Sequence, residues 1–236
     1  MNLKKVKITK TKFSIKANER IFKIGFFSFG LNFVGIYLFN ISRYSIDDLL
    51  SNDMQTIYGI ILMPASFMAL LGQYIVQPSI TKISNYIRDK KYFDLKNIIL
   101  KLLIIIIALG IAVFAVAYIF EAPVLKLVYG VDISEHFVSM LIIIVASVFY
   151  SISIIISAIL ISMRKTLSQV ISYIVVSVIG TFIAYKFVEN FQIFGASITY
   201  LLTMILISAI FIILTIKQLL KYKKTWEMMD NKNKGE

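Results

Sequence analysis

The chain has 236 residues, of which 58% are hydrophobic and only 16% are charged, and its formal net charge is +12. Its mean hydropathy of +0.82 is far above that of soluble domains and indicates an integral membrane protein. The absence of cysteine excludes disulfides, thiolate metal sites and cysteine nucleophiles. The basic excess does not indicate nucleic-acid binding, because Lys and Arg cluster at the ends of apolar segments, as membrane topology requires.

The chain opens with a basic segment, residues 1–20, which we expect on the cytoplasmic side against an anionic leaflet. Six apolar runs of spanning length follow, at 21–41, 57–76, 102–120, 137–161, 168–185 and 195–216. β-barrel strands are excluded, because they alternate apolar and polar residues whereas these runs are continuously apolar. We predict an all-α integral membrane protein in which residues 21–216 form a bundle of six transmembrane helices.

The distribution of Lys and Arg predicts the orientation of this bundle. If the N-terminus is cytoplasmic, 22 of the 25 basic residues fall in inner segments, and only Arg43, Lys126 and Lys186 fall outside. The positive-inside rule therefore predicts that both termini are cytoplasmic. Residues 217–236 then form a basic cytoplasmic tail, and the protein is a multi-pass component of the cytoplasmic membrane.

Two connecting segments carry signals of their own. Residues 79–97 are too polar to span a membrane but place Ile80, Ile83 and Ile87 at helical spacing, which predicts an amphipathic helix on the inner surface. After the third apolar run, Pro123 and Gly130 bound a short stretch. Proline first and glycine last is typical of a short helix, which we place on the outer rim.

The first apolar run carries a single polar stripe. At 100° per residue, ten residues fall within an arc of about 140°: Gly25, Ser28, Phe29, Asn32, Gly35, Ile36, Phe39, Asn40, Arg43 and Asp47. This projection requires the helix to continue past Asn40 to Asp47. A membrane helix with such a stripe favours something other than lipid beside it.

The second apolar run also has a polar face. Gly59, Ser66, Gln73 and Gln77 fall on one side of the helix, and Pro64 predicts a kink within it. Transporters often bind substrate where a broken helix meets a polar face. Equally, Ser and Gln form hydrogen bonds between packed membrane helices. Both interpretations remain open for this face.

Arg43 and Asp47 are the most informative charged pair, at positions i and i+4 near the outer end of the first run. They either pair with each other on the helix surface, or Arg43 binds a phosphate or carboxylate with its planar guanidinium while Asp47 tunes it. An adjacent metal site at Asp47 and Asp48 is disfavoured, because neighbouring helical residues point about 100° apart.

Other chemistry has little support in the sequence. No ionisable residue lies at the centre of an apolar run, which argues against a self-contained ion-coupled pump. His136 is the only histidine, and the outer acids show no spacing typical of general acid and base catalysis. We predict neither an enzyme nor a protein with a bound cofactor or metal.

The order of several motifs resembles one family of transporters. The run Asn40–Asp47, then Ile57–Gly59, then Pro78 before a polar inner segment, resembles the middle of polysaccharide flippases. These belong to the multidrug/oligosaccharidyl-lipid/polysaccharide exporter superfamily. The stretches 123–130 and Phe194–Ser197 are also similar, so the resemblance extends from about residue 20 to 221. It rests on the order and spacing of the motifs together.

Such flippases have twelve or more spans in two pseudo-symmetric halves around a central cavity. They move an undecaprenyl-diphosphate-linked oligosaccharide from the inner to the outer leaflet. The resemblance implies that this chain is the C-terminal lobe and that Arg43 contacts the diphosphate or an anionic sugar. The predicted substrate path comprises Asn32, Asn40, Arg43, Asp47, Ser66, Gln73 and Gln77.

A single lobe needs an opposing lobe for alternating access. We expect the second six-span lobe to be a separate chain or another copy of this one, within the lipid bilayer. The alternatives are a non-transporting membrane subunit, an inactive truncated remnant, or a small-molecule exporter of the same superfamily. A membrane-embedded transferase is a further reading, which requires an essential outer acid or His136.

Overall fold

The computed structural model describes residues 15–129 and 134–233, with side chains at 25–26, 29–119 and 134–223. Within these ranges the fold is entirely α-helical in its regular elements and contains no strand, as predicted. The helices are α1 (Ile15–Leu49), α2 (Asn52–Ile61), α3 (Met63–Val76), α4 (Ile80–Arg88), α5 (Tyr92–Tyr129), α6 (Phe137–Ser162) and α7 (Thr166–Asn233). Short 3₁₀ turns cover Gln77–Ser79 and Ser134–His136.

Three segments of the described chain are long and apolar enough to cross a membrane: Tyr92–Ile119, Ser134–Ser162 and Thr166–Lys223. A fourth is added if α2 and the segment Met63–Arg88, bent by 40° relative to each other, count as one span. These lengths and compositions are those of a helical membrane protein. The six spans expected from the sequence stay a prediction.

The long helix α7 is a helical hairpin. Its backbone leaves helical geometry at Gln192, where φ is 50° and ψ is −130°. The segments on either side, which we call the N-terminal arm (166–191) and the C-terminal arm (193–233), meet in pairs whose sequence separation grows evenly away from Gln192. The pairs are Phe187 with Gly195, Gly180 with Thr203, and Tyr173 with Phe211. This pairing makes the two arms antiparallel.

The hairpin organises the packing of the bundle. Both α1 and α6 pack against α7, and α6 also packs against α3 and α5. The interior is filled by large apolar side chains, among them Leu38, Ile61, Met68, Ile106 and Phe211. Small residues allow close approach, as is common between membrane helices: Gly35 faces the Tyr173 ring, Gly72 faces Ser151, and Gly110 faces Val148.

The connection between α3 and α5 differs from the single amphipathic helix expected at 79–97. α4 ends at Arg88, Lys90 has a φ of 58°, and α5 already begins at Tyr92. The Lys91 amide bonds to the Tyr86 carbonyl at 2.9 Å, which closes the end of α4 in a left-handed cap. The expected helix is therefore two elements, and residues 92–97 belong to α5.

The short helix expected on the outer rim also differs. α5 continues through Pro123 to Tyr129, so no separate rim helix starts there. Proline removes one helical hydrogen bond but does not force an end in a long helix. Gly130 lies outside the described residues. The described parts of both predicted tails are helical: residues 15–20 belong to α1, and residues 217–233 belong to α7, where no glycine or proline interrupts the helix.

Candidate functional site

The polar stripe of α1 lies on the side of the helix that faces away from the core. The helix runs without a break to Leu49, so the expected continuation past Asn40 is confirmed. Its buried side carries Leu31, Leu38, Ile41, Ser42, Ser45 and Ile46. In contrast, Asn32, Arg43 and Asp47 are exposed, and Asn40 is half-buried with its amide bonded to the Ile36 carbonyl at 2.9 Å.

Two members of the projected arc turn toward the interior instead. The Phe39 ring centroid lies 5.0 Å from that of Tyr150 and 5.6 Å from that of Tyr200. Gly35 packs near the Tyr173 ring. The exposed stripe is thus narrower than its projection, because α1 rests on α6 and α7 along one edge of the arc.

Arg43 and Asp47 do not form the i,i+4 pair that their spacing allows. Asp47 Oδ1 instead accepts a hydrogen bond from Gln55 Nε2 at 2.7 Å, which ties the end of α1 to α2. Within the described residues, Arg43 makes no hydrogen bond or ion pair, and it is exposed. Its guanidinium is therefore free to meet an anion from outside this chain.

The end of α1 that carries Arg43 is also anchored on α7. The Tyr185 hydroxyl donates to the Asp48 carboxylate, and the Tyr37 and Thr181 hydroxyls are 3.0 Å apart. Asp47 holds α2 and Asp48 holds the N-terminal arm, so the backbone at Arg43 is fixed from two sides. Sequence reasoning missed this role of Asp48, since its partner lies 137 residues away and no local pattern marks it.

The second polar set lies on the exposed side of α3 and of the 3₁₀ turn that follows it. Ser66, Gln73 and Gln77 are all exposed. The predicted kink is present but falls at Leu62, between α2 and α3, so that Pro64 sits in the first turn of α3. Proline fits there because the first turn needs no amide donor from it. Ser66 bonds weakly to the Leu62 carbonyl at 3.4 Å.

Some polar side chains inside the bundle form hydrogen bonds to neighbouring helices. The Ser151 hydroxyl donates to the Met68 carbonyl of α3 at 2.8 Å, and Ser157 donates to Gln169 Oε1 at 2.5 Å. These hydroxyls join helices to one another. The Gln73 and Gln77 side chains have no such bond within the described residues. We call the seven predicted residues on α1, on α3 and in the 3₁₀ turn after α3 the polar face: Asn32, Asn40, Arg43, Asp47, Ser66, Gln73 and Gln77.

Among the residues that the structure describes, no group of three or more His, Asp or Glu side chains has the arrangement of a metal site. Comparison with known protein families, with characterised proteins and with solved structures finds no match for this chain. The resemblance to polysaccharide flippases therefore stays a prediction. Any functional conclusion rests on the chain's own residues.

Proposed function

We propose that this chain is the C-terminal lobe of a transporter that flips an undecaprenyl-diphosphate-linked oligosaccharide across the cytoplasmic membrane. The observation that carries the proposal is Arg43, which is exposed on α1 and has no partner among the residues that the structure describes. Arginine beside lipid is unfavourable, and its planar guanidinium suits the oxygens of a diphosphate. A cavity shared with a second lobe would supply both water and that anion.

In this proposal the polar face forms one wall of the cavity. Arg43 holds the diphosphate or an anionic sugar, Gln73 and Gln77 donate hydrogen bonds to sugar hydroxyls, and the lipid tail stays in the bilayer. The second lobe, a separate chain or another copy, forms the opposite wall and rocks against this one. The two anchors at Asp47 and Asp48 support Arg43, since they reduce the freedom of its backbone.

Six spans with both termini in the cytoplasm are part of the same proposal. About 20 residues suffice to span a bilayer, whereas the apolar stretch of α7 covers 58 residues and reverses direction at Gln192. Its two arms therefore count as two spans. The bent pair α2 and α3, the helices α1, α5 and α6, and these two arms together give six.

This topology is directly testable because the chain has no native cysteine. Single cysteines at Ser51, Ser134 and Glu189 should react with a membrane-impermeant maleimide in intact cells. Cysteines at Lys90, Lys165 and Lys223 should react only after permeabilisation. The decisive position is Glu189, close to the hairpin turn. If it were labelled only from inside, the two arms would not be two spans.

The transport assay tests the role of the polar face. In a reconstituted transporter containing both lobes, Arg43→Ala should reduce the flipping rate roughly tenfold or more, because a hydrogen-bonded charge contact is lost. Gln73→Leu should also reduce it, by a smaller factor. Lys101→Ala is the matched control, since it removes an exposed basic residue from α5, and its rate should be unchanged.

The same variants separate the alternatives. Unchanged flux in both Arg43→Ala and Gln73→Leu, at equal protein recovery, would remove these residues from the path. Loss of co-purification with unchanged flux would favour a non-transporting subunit. Loss of small-molecule efflux without any effect on lipid-linked oligosaccharide would favour a small-molecule exporter.

A further inference from the structure

A second polar site lies at the opposite end of the bundle from Arg43. A cavity of about 410 Å³ opens between the end of α4, the link from α6 to α7, and the C-terminal arm. Five of its lining residues are basic: Arg88, Lys90, Arg164, Lys165 and Lys221. Three parts of the chain that are distant in sequence thus bring positive charge to one small space.

Two residues that line this cavity have left-handed backbone geometry, which is uncommon for residues other than glycine. Lys90 and Arg164 both have a φ of 58°. Each follows a helix whose end is closed by a bond spanning five residues, from Lys91 to Tyr86 at 2.9 Å and from Lys165 to Leu160 at 2.9 Å. Glycine or asparagine normally occupies such a position. Here both positions carry a long basic side chain that lines the same cavity.

Two of the basic side chains that line this cavity, Arg164 and Lys165, have no hydrogen bond or ion pair within the described residues. Arg88 pairs with Asp89 at 3.0 Å, and no acidic residue is among the described residues that line the cavity. Positive charge at the ends of α4 and α6 complements their helix dipoles. That effect accounts for neither Lys165, which precedes α7, nor Lys221, which lies in the C-terminal arm. Gln218 and Tyr222 also line the cavity and add neutral hydrogen-bond donors.

We propose that this cavity binds a phosphate-bearing anion. The nearest source is the headgroup of an anionic phospholipid, because the apolar helix α6 ends at Ser162, immediately before Arg164 and Lys165. Basic pockets between membrane helices bind such headgroups. Free phosphate offers the same chemistry from solution. The site requires no assumption about what the chain transports.

The test uses the purified full chain in a non-ionic detergent. Titration with short-chain phosphatidylglycerol should show saturable binding, and the double variant Arg164→Gly/Lys165→Gln should weaken it roughly tenfold or more. Glycine favours the backbone geometry at position 164, so the melting temperature of this variant should not fall. The matched control Lys82→Gln/Lys101→Gln removes two exposed positive charges elsewhere and should leave the affinity unchanged.

Separate titrations with inorganic phosphate and with short-chain phosphatidylcholine show whether the bound anion is a lipid headgroup or free phosphate. Phosphate binding that the double variant abolishes supports the site, with the free anion as its ligand. Equal affinity for phosphatidylcholine and phosphatidylglycerol would overturn the proposal, as would equal weakening in the control variant. Binding of phosphatidylglycerol that never saturates would also overturn it, since general charge attraction then explains the result.

Discussion

Gly195→Ala is expected to destabilise the protein by about 3 kcal/mol or more, the upper end of the effect of overpacking a close contact. A Cβ at Gly195 would overlap the Phe187 carbonyl oxygen and lie 3.1 Å from the Val188 nitrogen. Both atoms belong to the backbone of the opposite arm and cannot rotate away. The turn at Gln192 is only a few residues distant, so the arms have little room to separate.

The measurement is the melting temperature of the purified chain in detergent, read from size-exclusion chromatography after heating. Gly59→Ala and Gly30→Ala are matched controls, because a Cβ at either position meets nothing within 4 Å. Alanine is the better helix former, so these variants should be neutral or slightly stabilised. A Gly195→Ala protein as stable as the controls would show that the arms do not meet as described.

The second large effect is expected where α3 crosses α6. Gly72→Ala should cost about 2 kcal/mol, since its Cβ would lie 3.0 Å from Ser151 Cβ and 3.2 Å from Ser151 Cα. The same crossing holds the bond from the Ser151 hydroxyl to the Met68 carbonyl. Separating the helices to admit a methyl group therefore also weakens that hydrogen bond.

A double-mutant cycle isolates the steric part of this effect. Ser151→Gly alone loses the hydrogen bond to α3, but in combination with Gly72→Ala it frees space for the new methyl group. The double variant should be about 1 kcal/mol more stable than the sum of the single effects. Ser153→Gly is the control, because Ser153 bonds within its own helix to the Tyr150 carbonyl at 2.7 Å. The effects of Gly72→Ala and Ser153→Gly on stability should therefore be additive.

Features that depend on helical period were predictable from the sequence. The all-helical fold and the exposure of Asn32, Arg43 and Asp47 both follow from residues repeating along one side of a helix. Of the two alternatives for Arg43 and Asp47, the i,i+4 pair is not formed, because the i,i+4 rule treats a helix in isolation. Gln55 lies in α2, beyond the turn that follows α1, and its side-chain Nε2 donates a hydrogen bond to Asp47 Oδ1 at 2.7 Å.

Chain reversals were harder to predict, because the usual residues are missing. Lys90, Arg164 and Gln192 all have positive φ, yet none is glycine, and no proline stands beside any of them. Residues 186–194, between the last two apolar runs, are therefore helical in the structure except at Gln192. Gly195, which the resemblance noted only as part of a motif, lies at the close contact between the arms.

The packing of α1 on α7 has a consequence for the order in which the protein assembles. The Tyr37 and Thr181 hydroxyls are 144 residues apart in the chain, so α1 leaves the ribosome long before its partner exists. The arms of α7, by contrast, meet as soon as both are made, because their contacts are local. Among the described helices, α1 is thus made first but packs against its main partner last. A chain stopped before residue 166 leaves the inward side of α1 exposed to chaperones and proteases.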